Sequence, residues 1–161
     1  ACVEMADHIG SDHQRRRVLM QVAKHGDASP ALVTAIAKSA DEMGSDHERA
    51  EVLIALADTQ DLDPEVAAAF FDAVSGIGSD HEARRVLVST LARHGKQPHV
   101  AEGAARCADR LGSDHERAEV LRTIVDKIGT AKITEVDNDS ATATLSGTAM
   151  VQVGDQVKRV P

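Results

Sequence analysis

Four Asp-His pairs, Asp12-His13, Asp46-His47, Asp80-His81 and Asp114-His115, are the residues of this chain best equipped for chemistry. A carboxylate beside an imidazole could ligate a divalent cation or respond to pH. Each pair sits in the tetrapeptide Gly-Ser-Asp-His, at Gly10–His13, Gly44–His47, Gly78–His81 and Gly112–His115, with a constant spacing of 34 residues. Two considerations weigh against a metal ladder. Neighbouring helices lie roughly 8–10 Å apart, whereas zinc holds a His nitrogen at about 2 Å. Adjacent Asp and His side chains also leave a helix in different directions, so one motif cannot readily chelate. A hydrogen bond from each histidine to the adjacent repeat, for instance to its Asp, is the simpler expectation, and a pH-sensitive edge is a third reading. No nucleophile–base set, phosphate-binding glycine loop, His-Glu-x-x-His or Gly-x-Ser-x-Gly motif is present, so neither a catalytic residue nor a cofactor is expected.

The spacing itself is the stronger signal. A fixed period of this length marks a stacked repeat architecture. Each unit divides into two helical stretches. Helix A starts at the motif and carries an apolar stripe: Val18, Leu19 and Val22; Val52, Leu53 and Leu56; Val86, Leu87 and Leu91; Val120, Leu121, Ile124 and Val125. These spacings put one face of a helix against a core. Helix B starts at Pro30, Pro64 or Pro98, in the first turn where a missing N–H costs nothing. Ser29, Asp63 and, more weakly, Gln97 precede these prolines as N-caps. Helix B continues with Leu32, Val33, Ile36 and Met43, with Val66, Phe70, Val74 and Ile77, and with Val100, Ala104 and Leu111.

The motif reads as the corner between helix B and the next helix A. Its glycine suits a left-handed helix C-cap. Its serine and the Glu or Gln three residues on (Gln14, Glu48, Glu82, Glu116) fit a capping box. Its Asp favours the positive helix end. Arg15, Arg49, Arg84 and Arg117 lie one turn into helix A, with Arg16, Arg17 and Arg85 beside them. Local pairs such as Asp12 with Arg16 and Asp80 with Arg84 are expected from their i,i+4 spacing. The alternative is an arginine face for an acidic partner. His8, His25, His94 and His99 fall at helix ends or loops and are expected to be solvated.

The expected fold is therefore all-α, an α-solenoid of antiparallel helix pairs over residues 1–129. That segment comprises a partial repeat, three full pairs and a final helix. Because Ala1–Ile9 match the second half of a helix B, further repeats or another domain are expected ahead of them. Residues 130–161 change to alternating Thr, Val, Ala and Ser with turn pairs at Asn138-Asp139, Ser146-Gly147 and Gly154-Asp155, which predicts a short β-like or extended tail.

Composition bounds the partners. A formal charge of −8 argues against nucleic acid and anionic membranes. Aromatic residues make up 1% of the chain, too few for base stacking or an aromatic cage. No apolar run approaches the ~20 residues of a membrane helix, so membrane insertion is not expected. Cys2 and Cys107 form neither a metal pair nor a disulfide framework and read as core thiols.

With Gly-Ser-Asp-His-Glu-Arg-Ala-Glu-Val-Leu (Gly44–Leu53) in view, residues 1–129 resemble the short HEAT-like αα repeats of bacterial proteins. That resemblance implies a non-enzymatic scaffold for protein binding, a segment of a larger bacterial protein, and an envelope or periplasmic setting ahead of a cytoplasmic one. Two alternatives stand beside it. One is a self-assembling subunit that pairs through its repeat ends or its tail, and the other is a metal- or pH-responsive module built on the Asp-His pairs.

Overall fold

A computed structural model describes residues 2–24, 28–128, 130–136 and 141–146. The expectations for His25, for the side chain of Cys2, for the turn at Asn138-Asp139 and for the turns and strands beyond residue 146 lie outside the described residues. Eight helices follow one another: α1 (Cys2–Asp7), α2 (Asp12–Ala23), α3 (Pro30–Asp41), α4 (Asp46–Thr59), α5 (Pro64–Ser75), α6 (Asp80–His94), α7 (Pro98–Ala108) and α8 (Asp114–Ile128). Beyond them β1 (Thr130–Val136) and β2 (Ala141–Ser146) pair antiparallel.

The helices pack as a helical repeat in two rows. In one row α2, α4, α6 and α8 touch in order; in the other, α1, α3, α5 and α7 do so. Local sequence explains where each begins. Every helix of the first row opens on the Asp that follows the motif serine, and α3, α5 and α7 open on their prolines. Ser29 caps α3 by accepting a hydrogen bond from Leu32 N–H at 3.3 Å, while Asp63 and Gln97 make no side-chain cap.

One core runs between the rows. Leu19, Leu53, Leu56, Leu87 and Leu91 of the first row are buried against Val33, Ile36, Val66, Phe70, Val74 and Val100 of the second. The two stripes differ at the ends of the first row. Val18 and Val22 of α2 are only half-buried, and Leu121 and Val125 of α8 are 40% and 44% exposed. Their counterparts inside the row are covered by a neighbouring helix on each side. Phe70 and Phe71 meet edge to face with centroids 5.4 Å apart.

A glycine sets the closest approach in the second row. A Cβ on Gly103 of α7 would run into the ring of Phe71 on α5, which is itself buried. Gly103→Ala is therefore expected to destabilise the fold by about 1–3 kcal/mol through overpacking, outweighing the ~1 kcal/mol that alanine gains in helix propensity. Urea unfolding measures it, and a more stable variant would show that α5 and α7 are free to separate.

Candidate functional site

The Asp-His pairs lie along one edge of the first row, where the N-termini of α2, α4, α6 and α8 stand side by side. Ser11, Ser45 and Ser79 are in extended conformation ahead of their helices, and Ser45, Ser79 and Ser113 accept a hydrogen bond from the N–H of Glu48, Glu82 and Glu116 at 3.4 Å. This is half of a capping box. The other half is replaced. The glutamate does not turn back to the serine N–H, because a carboxylate from the preceding repeat already occupies that position.

That carboxylate belongs to the motif Asp. Asp12 Oδ2 accepts from Ser45 N–H at 2.8 Å, Asp46 Oδ2 from Ser79 N–H at 2.8 Å, and Asp80 Oδ2 from Ser113 N–H at 2.8 Å. Asp46 also takes Gly78 N–H through Oδ1 at 3.1 Å. The charge of each Asp thus serves the N-terminus of the next helix rather than its own, where unpaired donors and the helix dipole both favour an anion. The motif glycines show no positive φ, so they are not left-handed caps. A Cβ on Gly44, Gly78 or Gly112 would instead stand 3.6, 3.3 or 3.4 Å from the Asp carboxylate of the preceding repeat.

The glutamates, released from capping, receive the histidines. His13 Nδ1 lies 3.3 Å from Glu48 Oε1, His47 Nδ1 3.4 Å from Glu82 Oε1, and His81 Nδ1 3.9 Å from Glu116 Oε1. The histidine does reach the adjacent repeat, but it meets the glutamate and not the Asp. The imidazoles remain largely exposed, so each pair is ionic only when the ring is protonated. No glutamate pairs with His115 in this way among the described residues.

Arginines complete the edge. Arg16 Nε sits 2.5 Å from Glu48 Oε2, and Arg84 Nε pairs with Glu116 Oε2. The i,i+4 pairs of Asp12 with Arg16 and Asp80 with Arg84 do not form, since both carboxylates are committed to backbone N–H groups across the repeat. The second unit carries Ala50 where the first and third carry Arg16 and Arg84. There Glu82 is held by Arg85 at 2.6 Å, and Arg85 reaches back to Glu51 at 2.8 Å.

Arg15, Arg49 and Arg117 point elsewhere. Arg49 is 8% exposed and donates to the carbonyls of Asp41 and Met43 at 2.5 and 2.7 Å. Arg15 donates to Asp7 O and Arg117 to Leu111 O. These three guanidiniums satisfy carbonyls left unpaired where the preceding second-row segment ends. An arginine face made of all four expected residues does not exist, because Arg84 alone takes part in the glutamate network.

Two of the remaining histidines are structural too. His94, expected in solvent, is buried with Nε2 2.8 Å from Ala57 O, and His99 Nε2 is 2.6 Å from Leu62 O. Gln60 does the same work one repeat earlier, donating to Ala23 O at 2.7 Å. The shared position of Gln60 and His94 in the period was the available signal. Cys107 is a buried free thiol. Burial pushes its pKa up, partly offset by the hydrogen bond with Ser75, so it is a poor nucleophile.

Among the described residues no three His, Cys, Asp or Glu side chains cluster as a metal site. The Asp oxygens that would have to ligate a cation already face backbone N–H donors in the first three units. Among those residues, too, no helix is long and apolar enough to cross a membrane. No protein-family model, curated protein or solved structure matches the chain.

Removing one rung and its terminal counterpart separates the roles. Asp46→Ala leaves two backbone donors unpaired and is expected to cost about 1–3 kcal/mol, whereas Asp114→Ala, at a side chain 97% exposed, removes only a helix-end charge and an exposed pair with Arg117 and is expected to cost under about 1 kcal/mol. Equal losses in denaturant titrations would mean that the Asp matters only to its own helix.

Acid should loosen the edge. Burial, the largest influence on Glu82, pushes its pKa up, but the hydrogen bonds and charges of Arg85 and His47 together hold it below the ordinary 4.5. A carboxyl depressed by folding contributes stability that is full above its unfolded value and is lost as pH falls through the folded one. Glu82→Gln should therefore flatten the fall in melting temperature below pH 4.5. A variant that follows the wild-type curve throughout that range would remove Glu82 from the acid response.

Proposed function

We propose that this chain is a non-enzymatic helical-repeat scaffold of the α-solenoid type that binds protein. The observation that carries this reading is the use made of the repeating residues. The Asp, Glu and Arg side chains with chemical potential are spent, in the first three units, on holding one repeat to the next. The outward face of the second row also differs from repeat to repeat, at Lys38, Asp72 and Arg106 and at Glu42, Gly76 and Arg110, and these exposed side chains are not used to join the repeats.

A groove of about 320 Å³ opens on that face between α5 and α7. Its floor is Phe71, Gly103 and Cys107, and its rim carries Asp72, Arg106 and Arg110. An apolar floor inside a charged rim is the anatomy of a protein-binding patch, and arginine is among the residues enriched at such sites. A metal- or pH-responsive module has less support, since the Asp of each Asp-His pair from Asp12 to Asp80 already has its backbone partner. An envelope-associated setting, as part of a larger bacterial protein, rests on the resemblance to HEAT-like repeats alone.

Affinity capture with the wild type and with Arg106→Glu/Arg110→Glu, matched for melting temperature, tests the assignment. The expected outcome is a protein retained by the wild type and lost from the variant. Recovery of no protein, or equal recovery by both, would sink the reading of this face.

A further inference from the structure

We propose that the groove between α5 and α7 takes an acidic peptide segment, with an apolar side chain on the groove floor and a carboxylate between Arg106 and Arg110. This names the partner chemistry of the face described above and rests on its protein-binding reading. Both walls of the groove are described helices, so it forms whatever precedes or follows these residues.

The first observation is an ion pair that stays open. Residues one period apart hold the same position on neighbouring helices of a row. In the first row such a pair, Glu51 on α4 and Arg85 on α6, meets at 2.8 Å. In the second row Asp72 on α5 and Arg106 on α7 stand in the same relation, yet they line opposite sides of the groove without pairing. Arg110, one turn further along, also makes no side-chain hydrogen bond or ion pair among the described residues. The matching position on α5 is Gly76, so no α5 side chain opposes Arg110 at that level. Asp41, which approaches Gly76 from α3, is paired with Arg49 at 3.4 Å. Glu102 and Asp109 are exposed on the same stretch as the two arginines but do not line the groove.

The second observation accounts for the free Arg110. In the first, second and fourth units an arginine inside the corner, Arg15, Arg49 or Arg117, donates to carbonyls that end the preceding second-row segment. The third unit has Ala83 there. Arg49 lies so close under Gly76 that a Cβ on that glycine would stand 2.5 Å from its Nη1. An arginine inside the corner and a side chain at the Gly76 position therefore exclude each other. One repeat later both choices are reversed: Ala83 is small and buried, and Arg110 is exposed. The cation of this corner stands on the groove rim and is not spent on carbonyls.

The third observation is the field at the floor. Burial raises the pKa of Cys107 most, and the hydrogen bond with Ser75 lowers it. Arg106 and Arg110 lower it further, each acting more strongly than Asp72 acts to raise it. The balance of charge over the floor is thus positive, in a chain whose formal charge is −8. A carboxylate matches the planar fork of a guanidinium and finds two that are unpaired. The groove, about 320 Å³, is at the small end of the roughly 300–1,000 Å³ of ligand pockets, which suits one or two side chains of a peptide. The basic run Lys158-Arg159 of this chain has the wrong charge for it.

Fluorescence anisotropy on the 161-residue chain tests this with three labelled peptides of equal length. One alternates Glu with Leu, the second has Ser for each Leu, and the third has Lys for each Glu. The Glu-Leu peptide should bind about tenfold more tightly than either of the others. Arg110→Glu, at an exposed side chain, should weaken its binding about tenfold with unchanged melting temperature. Lys96→Glu, at an exposed lysine ahead of α7, should leave binding unchanged. Arg106→Glu/Arg110→Glu should exchange the preference to the Lys-Leu peptide. Absence of binding, equal binding of any two peptides by the wild type, or equal losses from Arg110→Glu and Lys96→Glu would overturn the proposal. Protein capture that is still lost from the double variant would then leave the protein-binding reading standing with a partner of other chemistry.

Discussion

A carboxylate accepting the backbone N–H of the next repeat is the contact on which this fold turns. Asp12, Asp46 and Asp80 each place an oxygen 2.8 Å from the serine N–H that begins the following A helix. A backbone donor at a helix start has no partner within its own helix, and an anion there is favoured by both hydrogen bonding and the helix dipole. Because the bond joins one unit to the next, it sets the translation between them. The corner is short, and its glycine leaves room for the carboxylate of the preceding repeat to lie close.

Everything else on that edge adjusts to the Asp. With the serine N–H taken, Glu48, Glu82 and Glu116 stay largely shielded between the A helices and become acceptors for His13, His47, His81, Arg16, Arg84 and Arg85. The result is a strip of alternating charge, partly shielded, that ties each pair of A helices together over the apolar stripe beneath. Exposed pairs of this kind contribute little singly. As a connected network they act chiefly on register: at the α4–α6 junction a shift by one turn would set Glu82 where Arg85 now faces Glu51. The same logic governs the opposite end of the A helices, where Gln60 and His94 satisfy the final carbonyls of the helix before.

Much of this was legible in the period alone. The number of units, the helix starts at serine and proline, and the core positions Leu53, Phe70, Leu87 and Val100 follow from spacing and residue type. The targets of the motif residues did not. Ser-Asp-His-Glu has the form of a local capping box, and nothing local distinguishes an Asp that favours its own helix from one that bonds the next. Arg49 reads as a surface cation until the carbonyls at the end of the preceding helix are placed beside it. His94 reads as a solvated helix end until its position in the period is compared with that of Gln60.

The sequence by itself determined the period, the helical character of each stretch and the list of side chains that recur, because capping preferences and apolar spacing act within a few residues along the chain. Only the tertiary structure decided which partner each recurring side chain takes. The partners lie about one period away, at the neighbouring helix, and the choice depends on which donors helix stacking leaves unpaired. The Asp-His pair, suited in principle to a cation or a proton, was thereby divided: the Asp to the backbone of the next repeat and the His to its glutamate.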